Sequence, residues 1–468
     1  MASTRPAPEY VPRRAGEDLL YEVLEAELSR FLNRTESMGR PLPRHVEREL
    51  RAYLCCGIAR FGFTWLRCDD CKLNRLVAFS CKGRGFCPSC GGRRMAQTAA
   101  NLVDTVLPKV PVRQWVMSLP FPLRIWVARR PKLRAAVLRV LLRVVRAILR
   151  KATGERDGSI GAICFHQYFG SSLNLNVHLH VLVLDGVYVH SDEGPPAFVP
   201  APRLTPQLVE RAVQTVHRRV ERMLRRRGLL DEAPEADPDD GQVAIQEAVS
   251  AGRAAMGKRA GRRTRRLRLA DPSQASPSRL CAESGWFSLH AGVRIGAQDR
   301  AGLERLCRYV TRPPLSHSRL TSKPDGTLVL ALKTPWRDGT SHLLLSPTEL
   351  LTRLAAIIPP PKSHLVTYHG VLAPASKLRG AIVPGKATNG TPCCHRGARP
   401  GERWIPWAPL LARSFNVDAL KCPGCAGRLK VKQIVRGVWV ANRLLRVLLP
   451  EPELPIRLIA EHRFRPGA

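Results

Sequence analysis

The stretch that most limits what this chain can become is Leu173–Asp185, which reads LNLNVHLHVLVLD. Leu175, Val177, Leu179, Val181 and Val183 alternate with Asn174, Asn176, His178 and His180. A period of two marks a strand, and it predicts one apolar face in the core and one polar face open to solvent. His178 and His180 then leave the same face, near enough to share one metal ion. Asp185-Gly186 is a type I′ hairpin signal, so Val187–His190 is expected to fold back along the strand. Ile160–Phe169 (IGAICFHQYF) is β-like as well, and Gly170-Ser171-Ser172 separates it from the histidine strand. The expected unit is a three-stranded meander with His-x-His on its middle strand.

The neighbouring strand offers a third ligand, and strand register decides which. A pairing that sets His166 across from His178 selects His166; a shift of one residue brings Gln167 onto the histidines' face. Two imidazoles and one such group leave open positions on Mg²⁺ or Mn²⁺, where a phosphate oxygen can be polarised and a phosphodiester oriented. The chemistry then lacks a nucleophile. A tyrosine suits it, because a phosphotyrosine keeps the energy of the broken bond for later rejoining.

Charge names the partner. The 468 residues hold 75 Lys and Arg against 38 Asp and Glu, a formal charge of +37. Such a field draws polyanions, and nucleic acid is the expected ligand. No apolar run reaches the roughly 18 residues of a membrane span, and MASTRPAPEYVPRR lacks the apolar centre of a signal peptide. No membrane role is expected. The 14 cysteines cluster as Cys-x-x-Cys pairs, which favours thiolate metal ligands in a reducing compartment over disulfides.

Cys68-x-x-Cys71 and Cys87-x-x-Cys90 have the spacing of a tetrahedral structural zinc site, with Cys81 as an alternative ligand. Arg93 and Arg94, with Lys82 and Arg84, would make that region a platform for phosphates. Near the other end, Cys422-x-x-Cys425 could build a second zinc knuckle with Cys394 and His395, Cys393 lying beside them. Pro131–Lys151 predicts a helix with Leu138, Leu141, Val144, Val145 and Ile148 buried, while Arg139 and Arg143 line another face, as a DNA track or a solvated surface. Residues 231–280 swing from acidic to basic with few large apolar side chains, which predicts a flexible insertion. Gly285–Ile295 reads as a strand, and Asp299–Val310 as an amphipathic helix with Tyr309 in its last turn. Lys333, Trp336 and Arg337 sit in a loop between two short strands, suited to stacked bases and phosphates.

At this point a resemblance enters. QYFGSSLNLNVHLHVLVLDGVY, GWFSLHAGV, RYVTRPPLSHSRL, KTPWRDGT and YHGVLAPASKLR resemble the transposases of IS91-like and common-region (ISCR-like) elements, within the HUH superfamily of single-strand endonucleases. SCKGRGFCPSCGGRRM resembles that family's zinc-binding domain. The resemblance runs from roughly Cys55 to Lys430. It implies an α+β fold: an antiparallel, ferredoxin-like HUH palm with helices, preceded by a Cys-rich zinc-binding domain and followed by a Cys-containing tail. The implied domains are a helical segment over 1–52, the zinc domain over 53–98, the catalytic domain over 110–370 and a C-terminal region over 371–468. Carried over by position, His178 and His180 hold the catalytic metal, Gln167 is preferred to His166 as third ligand, and Tyr309 is the nucleophile. Members with two tyrosines space them four residues apart, and here that position is Arg305. The chain therefore resembles the single-tyrosine branch, in which a second protomer, a 3′-hydroxyl or a water completes the second step.

The family implies structural Zn²⁺, catalytic Mg²⁺ or Mn²⁺, single-stranded transposon ends and target DNA as partners, a homodimer, and a bacterial cytoplasmic, nucleoid-associated setting. A replication initiator or relaxase would use the same chemistry. A zinc protein that binds DNA without cutting it is the rival from another class.

Overall fold

Residues 16–191, 194–230, 240–271, 280–384, 407–415 and 417–448 are described by a computed structural model. They divide into a larger unit, Glu17–Leu54 with Lys82–Pro406, and a smaller one, Met1–Gly16 with Cys55–Cys81 and Trp407–Ala468. The class is mixed α and β with antiparallel sheets. Among the described residues no helix is long and apolar enough to cross a membrane.

The larger unit is built on six strands: β1 (Val112–Ser118), β2 (Gly161–Phe169), β3 (Leu175–Leu184), β4 (Cys281–Ser284), β5 (Phe287–Ile295) and β6 (Val366–Gly370). Their order is β6-β2-β3-β1-β5-β4, every pair antiparallel. The histidine strand β3 therefore lies at the centre, between β2 and β1.

The expected meander is only half present. Gly186–Val189 does not return along β3; it pairs with Ala197–Pro200 in a separate two-stranded sheet, and β1 takes the vacated edge. A type I′ turn needs positive φ at both central residues, and neither Asp185 nor Gly186 has it. Asp185 is instead buried as an anchor, receiving Arg113 Nε and Nη2 at 2.9 Å and Arg294 Nε at 2.7 Å. Loss of either Asp185 or Arg113 would strand a buried charge, at a cost of about 3–5 kcal/mol. Gly186 is needed for close approach, since a Cβ there would stand 2.2 Å from the Val199 carbonyl.

Helices cover both faces of the sheet: α1 (Pro88–Thr105), α2 (Pro131–Thr153), α3 (Pro206–Arg225) and α4 (Arg300–Thr311). Val177, Leu179, Val181 and Val183 pack with Val137, Leu141 and Val144 of α2 and Val209, Val213 and Val216 of α3. On the opposite face Leu182 and Leu184 pack with Leu102 of α1 and Leu303, Leu306 and Val310 of α4. The polar face of β3 is thus not open to solvent as its alternation suggested. Helix α4, capped by Asp299 Oδ1 accepting from Gly302 N at 2.7 Å, lies on that side.

Part of the charge-rich 231–280 stretch is regular. Asp240 caps a helix over Gly241–Ser250, and the buried side chains of Gln242 and Gln246 donate to the carbonyls of Ala355, Ile358 and Ala356. Arg265–Arg268 adds a strand to the hairpin carrying Thr340–Leu345. Sparse large apolars hid this helix, because glutamine amides and Val243, Ile245 and Val249 do the packing. The loop before β3 is held by two arginines: Arg353 Nη1 donates to Ser172 O at 2.6 Å, and Arg319 Nη2 to Ser171 O.

The smaller unit is a three-stranded sheet in which Gly62–Cys68 lies between Asn74–Ala78 and Leu429–Arg436. Its apolar core is thin. Phe63, Val435, Ala441 and Leu445 form one buried group, and Leu66, Cys68, Cys422 and Leu429 another.

Candidate active site

Strand register puts the two candidate third ligands on opposite faces. Gln167 lies directly across from His178, and Phe165 across from His180, so Gln167 shares the histidines' face. His166 pairs with Leu179 and turns to the apolar side, where its Nε2 meets Thr367 Oγ1 at 3.3 Å. His166 is therefore not a ligand partner for His178.

The two imidazoles stand 4.8 Å apart between centroids. His178 Nδ1–H donates to the Asn176 carbonyl at 2.8 Å, which leaves its Nε2 lone pair bare. His180 Nδ1 lies 2.8 Å from Gln114 Nε2 on β1. With that amide turned over, its oxygen accepts from Nδ1–H and frees Nε2 of His180 as well; the heavy-atom positions are the same. Gln167 Nε2 donates to Val310 O at 2.7 Å, while its Oε1 is buried without a hydrogen-bond partner. Two bare imidazole nitrogens and an orphaned amide oxygen on one face are a donor set that fits a divalent ion. Burial holds both histidines below their ordinary pKa, His180 further depressed by His178, Arg312 and Lys333, and His178 by Arg312 and Arg124. Both are neutral at pH 7, the form that binds metal.

Tyr309, on the last turn of α4, meets His180 edge-on with ring centroids 6.0 Å apart and planes at 84°. Its side is 40% exposed, so a large substrate can reach the phenol. Two cations flank the ring: Lys333 Nζ at 3.9 Å and the Arg312 guanidinium at 4.9 Å from its centroid. Desolvation, then Arg312 and Arg319, draw the Lys333 ammonium down to about 8. Arg312 Nε is buried without a partner, and among the described residues neither Arg312 nor Lys333 has an ion pair. Arg319, by contrast, is fully spent on the carbonyls of Ala331, Pro314 and Ser171. The site is an uncompensated positive pocket around a phenol and two neutral imidazoles, which suits a phosphodiester.

The other expected residues separate. Trp336 lies under the Arg266 guanidinium, 4.7 Å from its ring centroid; Arg337 is exposed in the same loop. Arg94 donates to the carbonyls of Gly83 and Lys82, and burial lowers the pKa of Arg93. Arg139 and Arg143 are exposed on α2, on the far side of the sheet from Tyr309. Of two further tyrosines in this unit, Tyr168 is a core residue bonded to Arg134, and Tyr368 sits on β6, two strands from the histidines. Gln114 and Arg312 escaped sequence reasoning. The available signals were a glutamine inside an otherwise apolar strand, and an arginine one helical turn past the tyrosine.

The cysteines regroup. Cys68 Sγ lies 3.5 Å from Cys425 Sγ, and Cys71 Sγ 3.5 Å from Cys422 Sγ. The thiols that meet Cys68 and Cys71 in the smaller unit are thus those of the C-terminal pair rather than Cys87 and Cys90. The cause is long-range strand pairing, Cys68 opposite Leu429, which local spacing cannot reveal. Cys87 and Cys90, both buried, open helix α1 in the larger unit. Cys394 and His395, expected beside Cys422 and Cys425, lie outside the described residues.

Residues 161–379 match a family profile described as "Putative transposase", and residues 24–119 match the IS91 profile described as "Transposase zinc-binding domain". The first spans β2 through the loop after β6 and so contains the histidines, Gln167, Tyr309 and Lys333. No curated protein and no solved structure matches the chain.

Proposed function

Because the chain is an IS91-like transposase with an N-terminal zinc-binding domain, we propose that it cuts and joins single-stranded DNA by a rolling-circle route. The six-stranded sheet serves as an HUH palm. His178, His180 and Gln167 hold one Mg²⁺ or Mn²⁺, which when bound polarises an oxygen of the scissile phosphate. Tyr309 Oη attacks phosphorus; the Oη–P bond forms as the P–O3′ bond breaks, the phenolic proton is released, and the 3′-oxygen leaves as a hydroxyl. Lys333 and Arg312 place positive charge where negative charge gathers on the phosphoryl oxygens. The 5′-phosphotyrosine then yields to a 3′-hydroxyl of the target, which joins the strands. With Arg305 in place of a second tyrosine, a second protomer, a 3′-hydroxyl or a water completes the exchange.

Arg93, Arg94, Arg139, Arg143, Lys333 and Arg337 contribute phosphate contacts in this reading, and Trp336 offers an aromatic face for a stacked base. Structural zinc is supported by the zinc-domain match and the clustered thiols.

The observation that carries the reading is the edge-on approach of His180 to Tyr309, with Gln167 across from His178. The test incubates wild type and Tyr309→Phe with labelled single-stranded DNA spanning an element end and Mn²⁺, and resolves products on a denaturing protein gel. A labelled adduct in wild type, absent from Tyr309→Phe and with EDTA, is expected. An adduct that persists in Tyr309→Phe moves the nucleophile, first to Tyr368. Joining to a heterologous target separates a transposase from an initiator or relaxase, and DNA binding with no cleavage on any end favours the non-catalytic rival.

A further inference from the structure

The four thiols of the smaller unit come from two loops far apart in sequence, Cys68 and Cys425 being 357 residues apart and Cys71 and Cys422 351. The loops have the same local form. In each, the first cysteine's N–H donates to the carbonyl five residues on: Cys68 to Leu73 at 2.9 Å, Cys422 to Gly427 at 2.7 Å. In each, the residue after the second cysteine is left-handed, Lys72 at φ 64° and Ala426 at φ 60°. In each, the N–H groups two and three residues past the first cysteine aim at its sulfur: Asp70 and Cys71 onto Cys68, Gly424 and Cys425 onto Cys422.

A left-handed backbone is disfavoured for residues that carry a Cβ. Its recurrence at one position of two unrelated segments points to a shared task, turning a pair of sulfurs inward while backbone N–H groups stabilise their charge. The loops also mesh. A Cβ at Gly427 would fall 2.0 Å from Asp70 Oδ2, and one at Gly424 would lie 3.3 Å from Leu73 Cδ1.

Distances choose the bond. The nearest sulfur pairs are 3.5 Å apart and all four lie within 4.8 Å of one another. A disulfide requires about 2.05 Å, whereas Zn–S bonds of about 2.3 Å in a tetrahedron set sulfurs about 3.8 Å apart. We propose that one Zn²⁺ is bound by Cys68, Cys71, Cys422 and Cys425, clasping the strand Gly62–Cys68 to the C-terminal strand Leu429–Arg436. The C-terminal pair, which lies outside the matched zinc-domain residues 24–119, is then a necessary half of a zinc site. The clasp stands apart from the proposed catalysis, because its test reads thiols and metal rather than DNA cleavage.

The test uses the full chain, purified with zinc. Cys71 and Cys425 are exposed, so without metal iodoacetamide can reach them. Mass spectrometry of the native protein should find Cys68, Cys71, Cys422 and Cys425 protected, and all four labelled at one common rate once a chelator is added. In parallel, Cys425→Ser should lower bound zinc by one equivalent per chain and leave Cys71 open to labelling. Free labelling of Cys425 in the native protein while Cys71 stays protected would overturn the assignment. So would unchanged zinc in Cys425→Ser with one equivalent lost in Cys87→Ser and Cys71 newly labelled there.

Discussion

The thiol cluster of the smaller unit and the histidine–tyrosine site of the larger one are both fitted to hold a metal, yet they stand on opposite footings. His178, His180 and Gln167 project from two central strands of a six-stranded sheet that helices cover on both faces. That frame has its own apolar core, so an ion there is a guest. The thiols sit on a sheet whose described buried groups are small: Phe63, Val435, Ala441 and Leu445 in one, Leu66, Cys68, Cys422 and Leu429 in the other. At about 1.5–3 kcal/mol per buried side chain, so few of them give a small unit little stability of its own. A structural zinc, worth about 10–16 kcal/mol in small domains, would supply much of what that core lacks. A metal at the first site would act on a frame that already stands; a metal at the second would be part of the frame.

The sharpest way to break this contrast is to strip all metal and follow amide exchange. Residues 62–68 and 429–436 should lose their protection almost entirely, while β2 and β3 keep theirs; loss of protection in both units would put the larger site on the same footing as the smaller. A smaller effect is expected from His178→Ala. It should abolish adduct formation and weaken Mn²⁺ binding at least tenfold, yet lower Tm by only a few degrees, since about one hydrogen bond worth about 1 kcal/mol is lost. A fall of more than about 10 °C in calorimetry would mean that the imidazole holds the sheet together. The smallest effect concerns His166 on the other face of β2. Burial, Arg134 and His369 hold its pKa down to about 3, against about 6.5 in the unfolded chain. Between those values the unfolded form takes up a proton that the folded form refuses. Stability therefore falls as pH drops below about 6.5, and His166→Gln should flatten that slope in urea titrations; an unchanged slope would remove His166 from the account.

What could be read in advance follows the range of the interactions involved. The alternation of Leu175 to Val183 and the stripe around Leu303, Leu306 and Val310 are local, and both elements form where their periods put them. Tyr309 and the histidines were visible because each lies on such an element. The resemblance preferred Gln167 to His166, but which face each occupies depends on register, beside a loop that two arginines hold from 148 and 181 residues away. The turn at Asp185-Gly186 was misread because its sequence signal is weaker than the buried pairing with Arg113 and Arg294. The covered polar face of β3 and the partners of Cys68 and Cys71 depend on α4 and on Leu429–Arg436, elements that no short window contains.

The strand order of the smaller unit has a consequence in time. Gly62–Cys68 leaves the ribosome early, but its partner Leu429–Arg436 follows some 360 residues later, which at roughly 5–20 residues per second is a wait of about 20–70 s. Throughout that interval an unpaired edge and two reactive thiols must be kept from other chains. A message cut short after Gly370 but before Cys422 would leave them waiting for good, so such a truncated copy of this gene would yield a chain with all six strands of the large sheet and a permanently open first module.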